Sequence, residues 1–95
     1  MFDKAKMAMQ VRKAQKELAN EIMEAEAGDG AVKIRITGEQ KIKKVVLDPE
    51  KIDFDDMPEL ERWIESAIKE AITKSQQFAT EKMKPLMGAL GKLGL

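Results

Sequence analysis

Apolar positions along this chain follow two different periods, and the change of period marks out its elements. Met7, Val11, Ala14, Leu18 and Ile22 recur at steps of four, three, four and four. That spacing draws one stripe on a helix and predicts helix from Phe2 to about Asn20. Asp3 near its start suits the positive end of the helix dipole. From Val32 the period drops to two. Val32, Ile34 and Ile36 alternate with Lys33, Arg35 and Thr37, the pattern of a half-buried strand. Gly28, Asp29 and Gly30 before it make a tight reversal, and Gly38 after it opens a second turn. Lys41 to Asp48 reads as the next strand, ended by Pro49. Val45, Val46 and Leu47 are contiguous there, which predicts cover on both faces near the strand's end.

Residues 22–27 (IMEAEA) fit two readings, a continuation of the first helix or a strand pairing with 31–37. The turn at 28–30 favours the strand, with Glu24 and Glu26 opposite Lys33 and Arg35 as cross-strand pairs. Residues 50–57 form a polar connection in which Asp55 or Asp56 caps a second helix. Pro58 stands in its first turn, and Glu59 and Glu61 favour its positive end. Leu60, Ile64, Ala67, Ile68, Ala71, Ile72, Ser75, Phe78, Ala79 and Met83 keep the helical period, and Trp63 widens the stripe. Trp63 is a candidate anchor on the sheet. The pattern extends to Lys84, where Pro85 is expected to stop the helix. A helix of that length outruns a small sheet, so its far end must project or pack on another chain. The Gly- and Leu-rich residues 86–95 are expected to be a flexible tail.

The chain has 95 residues, enough for one small domain spanning 1–95 with a marginal core of its own. It contains no Cys and no His. Disulfides and Cys- or His-based metal sites are thereby excluded, and oligomerisation is left as the route to a larger core. The same absences remove most catalytic chemistry. Ser66 and Ser75 lie within a helix with no base nearby in sequence, and Gly-x-Gly at 28–30 precedes a strand rather than a helix. The reading is a binding protein, not an enzyme, with no cofactor. No apolar run is long enough to span a bilayer, and no secretory signal is evident, so a soluble cytoplasmic protein is expected.

Charge is balanced overall but segregated. Residues 31–47 hold five cations against one acid, whereas 48–70 hold nine acids against three cations. The acidic residues Asp48, Glu50, Asp53, Asp55 and Asp56 lack the ligand order of a calcium loop and read as caps and solvated groups. Lys33, Arg35, Lys41, Lys43 and Lys44 read as the polar face of a sheet, with the acids of 48–70 available as partners. These strands offer no Asn or Gln for base readout apart from Gln40 in the turn.

The order of these features resembles the YbaB/EbfC family of bacterial nucleoid-associated proteins. The resemblance rests on Gly28, Gly30, Val32, Ile34, Ile36 and Gly38, on Val45, Leu47, Asp48 and Pro49, on Leu60-Glu61, and on the small face Ala67 and Ala71. It covers nearly the whole chain. Lys69 stands where relatives often have Asn, and the Pro-rich ending common in the family is missing. The resemblance implies an α+β fold: an α-β-β-β-α protomer, two-layered, with a three-stranded antiparallel sheet. It also implies a tweezer-like homodimer, duplex DNA as the partner, a nucleoid location and no catalytic activity.

In that family the projecting helices are the parts implicated in DNA contact. The residues carried over are Lys4, Lys6, Arg12, Lys13 and Lys16 of the first helix, with Lys82 and Lys84 of the second. Lys and Arg suit phosphate contact, and a dimer doubles each patch. Taken without the resemblance, the first set is an ordinary solvated helix face, and Lys82 and Lys84 are cations at a helix C-terminus. If the second helix projects beside the first, the two sets make one arm. The expected mechanism is electrostatic, with little sequence preference, and the dimer is expected to form through the apolar face of the second helix and part of the sheet. The alternative is a homodimeric protein-interaction module whose Met- and Ala-lined helices grip a partner protein without a direct DNA role.

Overall fold

The computed structural model describes residues 4–92, with side chains through residue 88. The order is α1 (Lys4–Asn20), β1 (Ile22–Ala27), β2 (Val32–Thr37), β3 (Ile42–Leu47), a single 3-10 turn at Pro49–Lys51, and α2 (Met57–Lys92). This is the α-β-β-β-α, α+β arrangement. The expected helix start at Phe2 and the placement of Asp3 lie outside the described residues.

The three strands form one antiparallel sheet in the order β1-β2-β3. IMEAEA is a strand, and its register sets Glu24 opposite Arg35 and Glu26 opposite Lys33. Glu24 and Arg35 are also ion-paired at 3.3 Å. Alternation sends Val32, Ile34 and Ile36 to one face, where they are almost fully buried under α2. Ala25, Ala31, Ile52, Leu60, Ala67 and Ala71 complete that core, with Trp63, Ile64 and Ile68 packed at its edge. Ala67 and Ala71, wholly buried, let the helix lie close on the sheet.

Two turns position the helices. At the first, Gly28 (φ +64°), Asp29 (φ +56°) and Gly30 (φ +89°) are all left-handed. A Cβ on Gly28 would sit 2.4 Å from Trp63 Cδ2, so the indole packs directly on the turn backbone. At the second, Gly38 N donates to Leu18 O (2.8 Å), and a Cβ there would meet Phe78 and the Leu18 carbonyl. The end of α1, the β2–β3 turn and the middle of α2 converge at this point. Ser75, fully buried, fastens the junction: its hydroxyl donates to Thr37 O (2.7 Å) and accepts from Gln40 N (3.1 Å).

Asp56 caps α2 by accepting from Glu59 N (3.1 Å). The far end of α2 differs from expectation. The helix does not stop at Lys84; it continues through Pro85 to Lys92, so residues 86–92 extend α2. A proline inside a helix forfeits one backbone hydrogen bond and costs about 3 kcal/mol. Apolar packing offsets part of that cost: Leu86, next to the proline, is buried, and Ala14 of α1 borders the same groove.

β3 also departs from the sequence reading. Both faces near its end are expected to be covered, yet Val45 is 52% and Leu47 43% exposed. α2 lies over β1 and β2 only, leaving the apolar side of β3 open in the protomer.

Candidate nucleic-acid interface

At 1.5 Å per residue the 36 residues of α2 span about 54 Å, against roughly 20 Å for a six-residue strand. The protomer is accordingly elongated, 65 × 21 × 14 Å. The proximal half of α2 covers the sheet. The distal half runs beyond it, and α1 lies alongside in the opposite direction. Leu18 meets the junction near Phe78, Glu17 meets Lys82, and Gln10 and Ala14 border a groove with Pro85 and Leu86. The chain thus builds one body and one two-helix arm.

The structure brings the two sets of expected site residues onto that arm. In α1, helical spacing places Lys6, Arg12, Lys13 and Lys16 on the side away from the buried Ala14 and Leu18, with Lys4 beside the apolar stripe. All five are exposed, and among the described residues none has an acidic partner within ion-pair distance. Glu17 is the helix's one acidic residue. It is already engaged, by Lys82 Nζ at 3.1 Å. Lys82 also stands over the Phe78 ring, 5.6 Å from its centre. Lys13, Lys16 and Lys82 line one groove between the helices together with Glu17, Glu21, Asn20 and Phe78. Lys84 is apart from this groove and pairs with Glu81 at 3.2 Å.

The expected sites therefore fall into two kinds. Among the described residues the α1 cations have no ion pair, whereas Lys82 and Lys84 each hold an intramolecular partner. Sequence spacing does not reveal the Glu17–Lys82 pair, because it joins the two ends of the chain.

The acids of 48–70 are available by sequence as partners for the sheet's cations. Among the described residues the two sets form no ion pair: Arg35 pairs with Glu24 of β1, and Lys33, Lys41, Lys43 and Lys44 have none. Asp48, Asp53 and Asp56 instead accept from nearby backbone N–H groups as caps and turns. No group of acids capable of holding a metal ion occurs among the described residues, and none of their helices is long and apolar enough to cross a membrane.

A second exposed surface is apolar. On β3, Ile42, Val45 and Leu47 are exposed, and on α2 Ile72 is exposed while Ile64 and Ile68 line an open, almost wholly apolar groove. Lys74 fixes the opposite flank, donating to Glu24 O of β1 at 2.8 Å.

Residues 1–90 match the model of the YbaB/EbfC DNA-binding family. A protein of Chloroflexus aurantiacus named as nucleoid-associated is 39% identical over 84 residues, covering 88% of this chain and 84% of its own. Another so named, from Ruminiclostridium cellulolyticum, is 39% identical over 88 residues, covering 93% and 76%. The fold is similar to the crystal structure of an uncharacterised protein of Helicobacter pylori, with a TM-score of 0.65 at 14% identity, over 77% of this chain and 84% of that one.

Proposed function

Because the chain belongs to the YbaB/EbfC DNA-binding family, we propose that it binds duplex DNA in the nucleoid as a homodimer, through phosphate contacts made by its arms. The observation that carries this reading is the charge of α1. Five cations, Lys4, Lys6, Arg12, Lys13 and Lys16, stand exposed on a projecting element whose one acid is occupied by Lys82. Contacts of this kind attract the phosphate backbone and release its counterions without reading bases. Lys82 and Lys84 add to the same arm, Lys82 by exchanging Glu17 for a phosphate.

The dimer is proposed to close over the apolar side of β3 and the Ile64, Ile68 and Ile72 flank of α2. The face, not the strand edge, is the contact, since Lys41, Lys43 and Lys44 and a bulge on β3 discourage edge pairing. Val45 tests it well, being half exposed in the protomer. Val45→Glu is expected to shift sedimentation equilibrium towards monomer with little loss of secondary structure. An unchanged dimer would place the interface elsewhere.

DNA binding is tested by fluorescence anisotropy of two unrelated duplexes over a range of salt. Both are expected to bind with similar affinity that falls as salt rises. In Lys13→Gln and Lys16→Gln the log–log salt slope should become shallower by about 0.9 for each phosphate that is no longer neutralised. Absence of binding at low salt would overturn the reading and favour a protein partner for the same arms.

A further inference from the structure

The face of the sheet turned away from α2 carries a second cationic cluster. β2 contributes Lys33 and Arg35, and β3 contributes Lys44, which the register sets directly opposite Arg35. Lys43 is the bulge residue, left without a partner where the register shifts between Arg35 and Ile36. Like charges placed opposite one another across two strands destabilise a sheet. Edge protection accounts for lysines on β3, and Glu24 and Glu26 of β1 stand opposite Arg35 and Lys33, but with Lys44 and the bulge residue Lys43 the sheet carries four cations against these two acids. Glu24 draws Arg35 to one side at 3.3 Å, and Lys33, Lys43 and Lys44 have no ion pair among the described residues.

We propose that this face is a second phosphate-binding surface, so that a molecule holding one duplex in its arms docks another on its sheet. The inference rests on the arm-binding reading above. The two surfaces are separate because the helices occupy the other side of the sheet, and α1 reaches the sheet only at the Gly38 turn. A phosphodiester backbone suits the cluster, being a row of anions that three or four cations on neighbouring strands can meet at once. The anion also relieves the Arg35–Lys44 repulsion, which gives the like-charge pair a use. The face offers no Asn or Gln to read bases, so docking there is independent of sequence.

The test is a bridging assay beside the anisotropy titration. One duplex is fixed to beads, full-length protein is added, and recovery of a second, fluorescent duplex is measured. The sheet variant combines Lys33→Gln, Lys43→Gln and Lys44→Gln; the arm variant combines Arg12→Gln, Lys13→Gln and Lys16→Gln. A version with Arg at the three sheet positions keeps the charge and serves as the rescue, and thermal melting confirms that each protein is folded.

The wild type and the Arg version should bridge. The sheet variant should keep single-duplex affinity within about 3-fold yet lose most of the second duplex, since the phosphates held by the arm are untouched. Equal bridging by wild type and sheet variant, or a wild type that binds one duplex and never bridges, would overturn the inference while leaving the arm reading intact. A wild type that binds no duplex at low salt would overturn both. If the arm variant binds normally and the sheet variant does not, the arm reading falls and the sheet is the first site rather than a second, which overturns the two-surface inference as well.

Discussion

The body and the arm of this protein are built by different rules. The body sets three strands against the proximal half of α2 around a closed core in which Val32, Ile34, Ile36, Ala67 and Ala71 are essentially inaccessible. The arm sets α1 against the distal half of α2 with far less: among the described residues, Ala14, Leu18 and Leu86 are its buried apolar side chains, joined by one ion pair. Apolar burial at about 25 cal/mol per Å2 therefore concentrates stability in the body. The arm keeps its charged side chains in water, where they can exchange partners. Stability and binding should thus be separable by position.

The strongest destabilisation is expected at the Gly28–Trp63 contact. Trp63→Ala removes an aromatic packed at the core's edge and should cost about 2–4 kcal/mol. Gly28→Ala should also destabilise strongly, because a Cβ would strike the indole at 2.4 Å and the residue has φ +64°. Combining the two is the sharper measurement. Once the indole is gone, only the left-handed backbone penalty of about 1–2 kcal/mol should remain for the alanine, so the pair should be strongly non-additive. Additive costs in thermal or urea unfolding would mean that Trp63 does not pack on this turn. Neither change should alter the salt slope of DNA binding in protein that remains folded.

A smaller effect is expected at the joint between the two regions. Ser75→Ala removes a buried hydroxyl that serves Gln40 N and Thr37 O, and should cost about 1–2 kcal/mol. Ser66→Ala, on the exposed side of the same helix, is the control and should change melting little. Equal effects would mean that the joint is not fastened by this side chain.

The body is largely legible in the sequence, and the reason is that its determinants are local. Period-two alternation marks β2, and the Gly28–Gly30 reversal then requires a strand at 22–27, which brings Glu24 and Glu26 to Arg35 and Lys33. Where determinants are distant, spacing misleads. Ser75 looks like a weak position in an apolar stripe, yet its partners lie on the β2–β3 turn. Pro85 signals a stop, but Leu86 is buried at a groove it shares with Ala14 of α1, and the helix continues. Val45 and Leu47 promise cover on both faces of β3, and the protomer leaves one open, because an apolar run does not say whether its cover comes from the same chain. The cations of the arm are identified from a family resemblance, while the pairing that distinguishes Lys82 from Lys13 and Lys16 requires the fold.

The smallest expected effect is the most discriminating, because stability and binding should move in opposite directions. Glu17 and Lys82 are each about 41% exposed, so their pair is worth only about 0.2–1 kcal/mol and is screened by salt. Glu17→Gln should lower the melting temperature slightly at low salt and not at high salt. It also removes the one acid of α1 and releases Lys82 into the groove shared with Lys13 and Lys16. Duplex affinity at low salt should therefore rise, and the salt slope should steepen by about 0.9 if Lys82 takes up a phosphate. Lys82→Gln breaks the same ion pair, so it should cost similar stability while weakening DNA binding. If both variants weaken binding alike, the ion pair acts by holding the helices together, and the arm would owe its function to shape, as the body does, rather than to free charge.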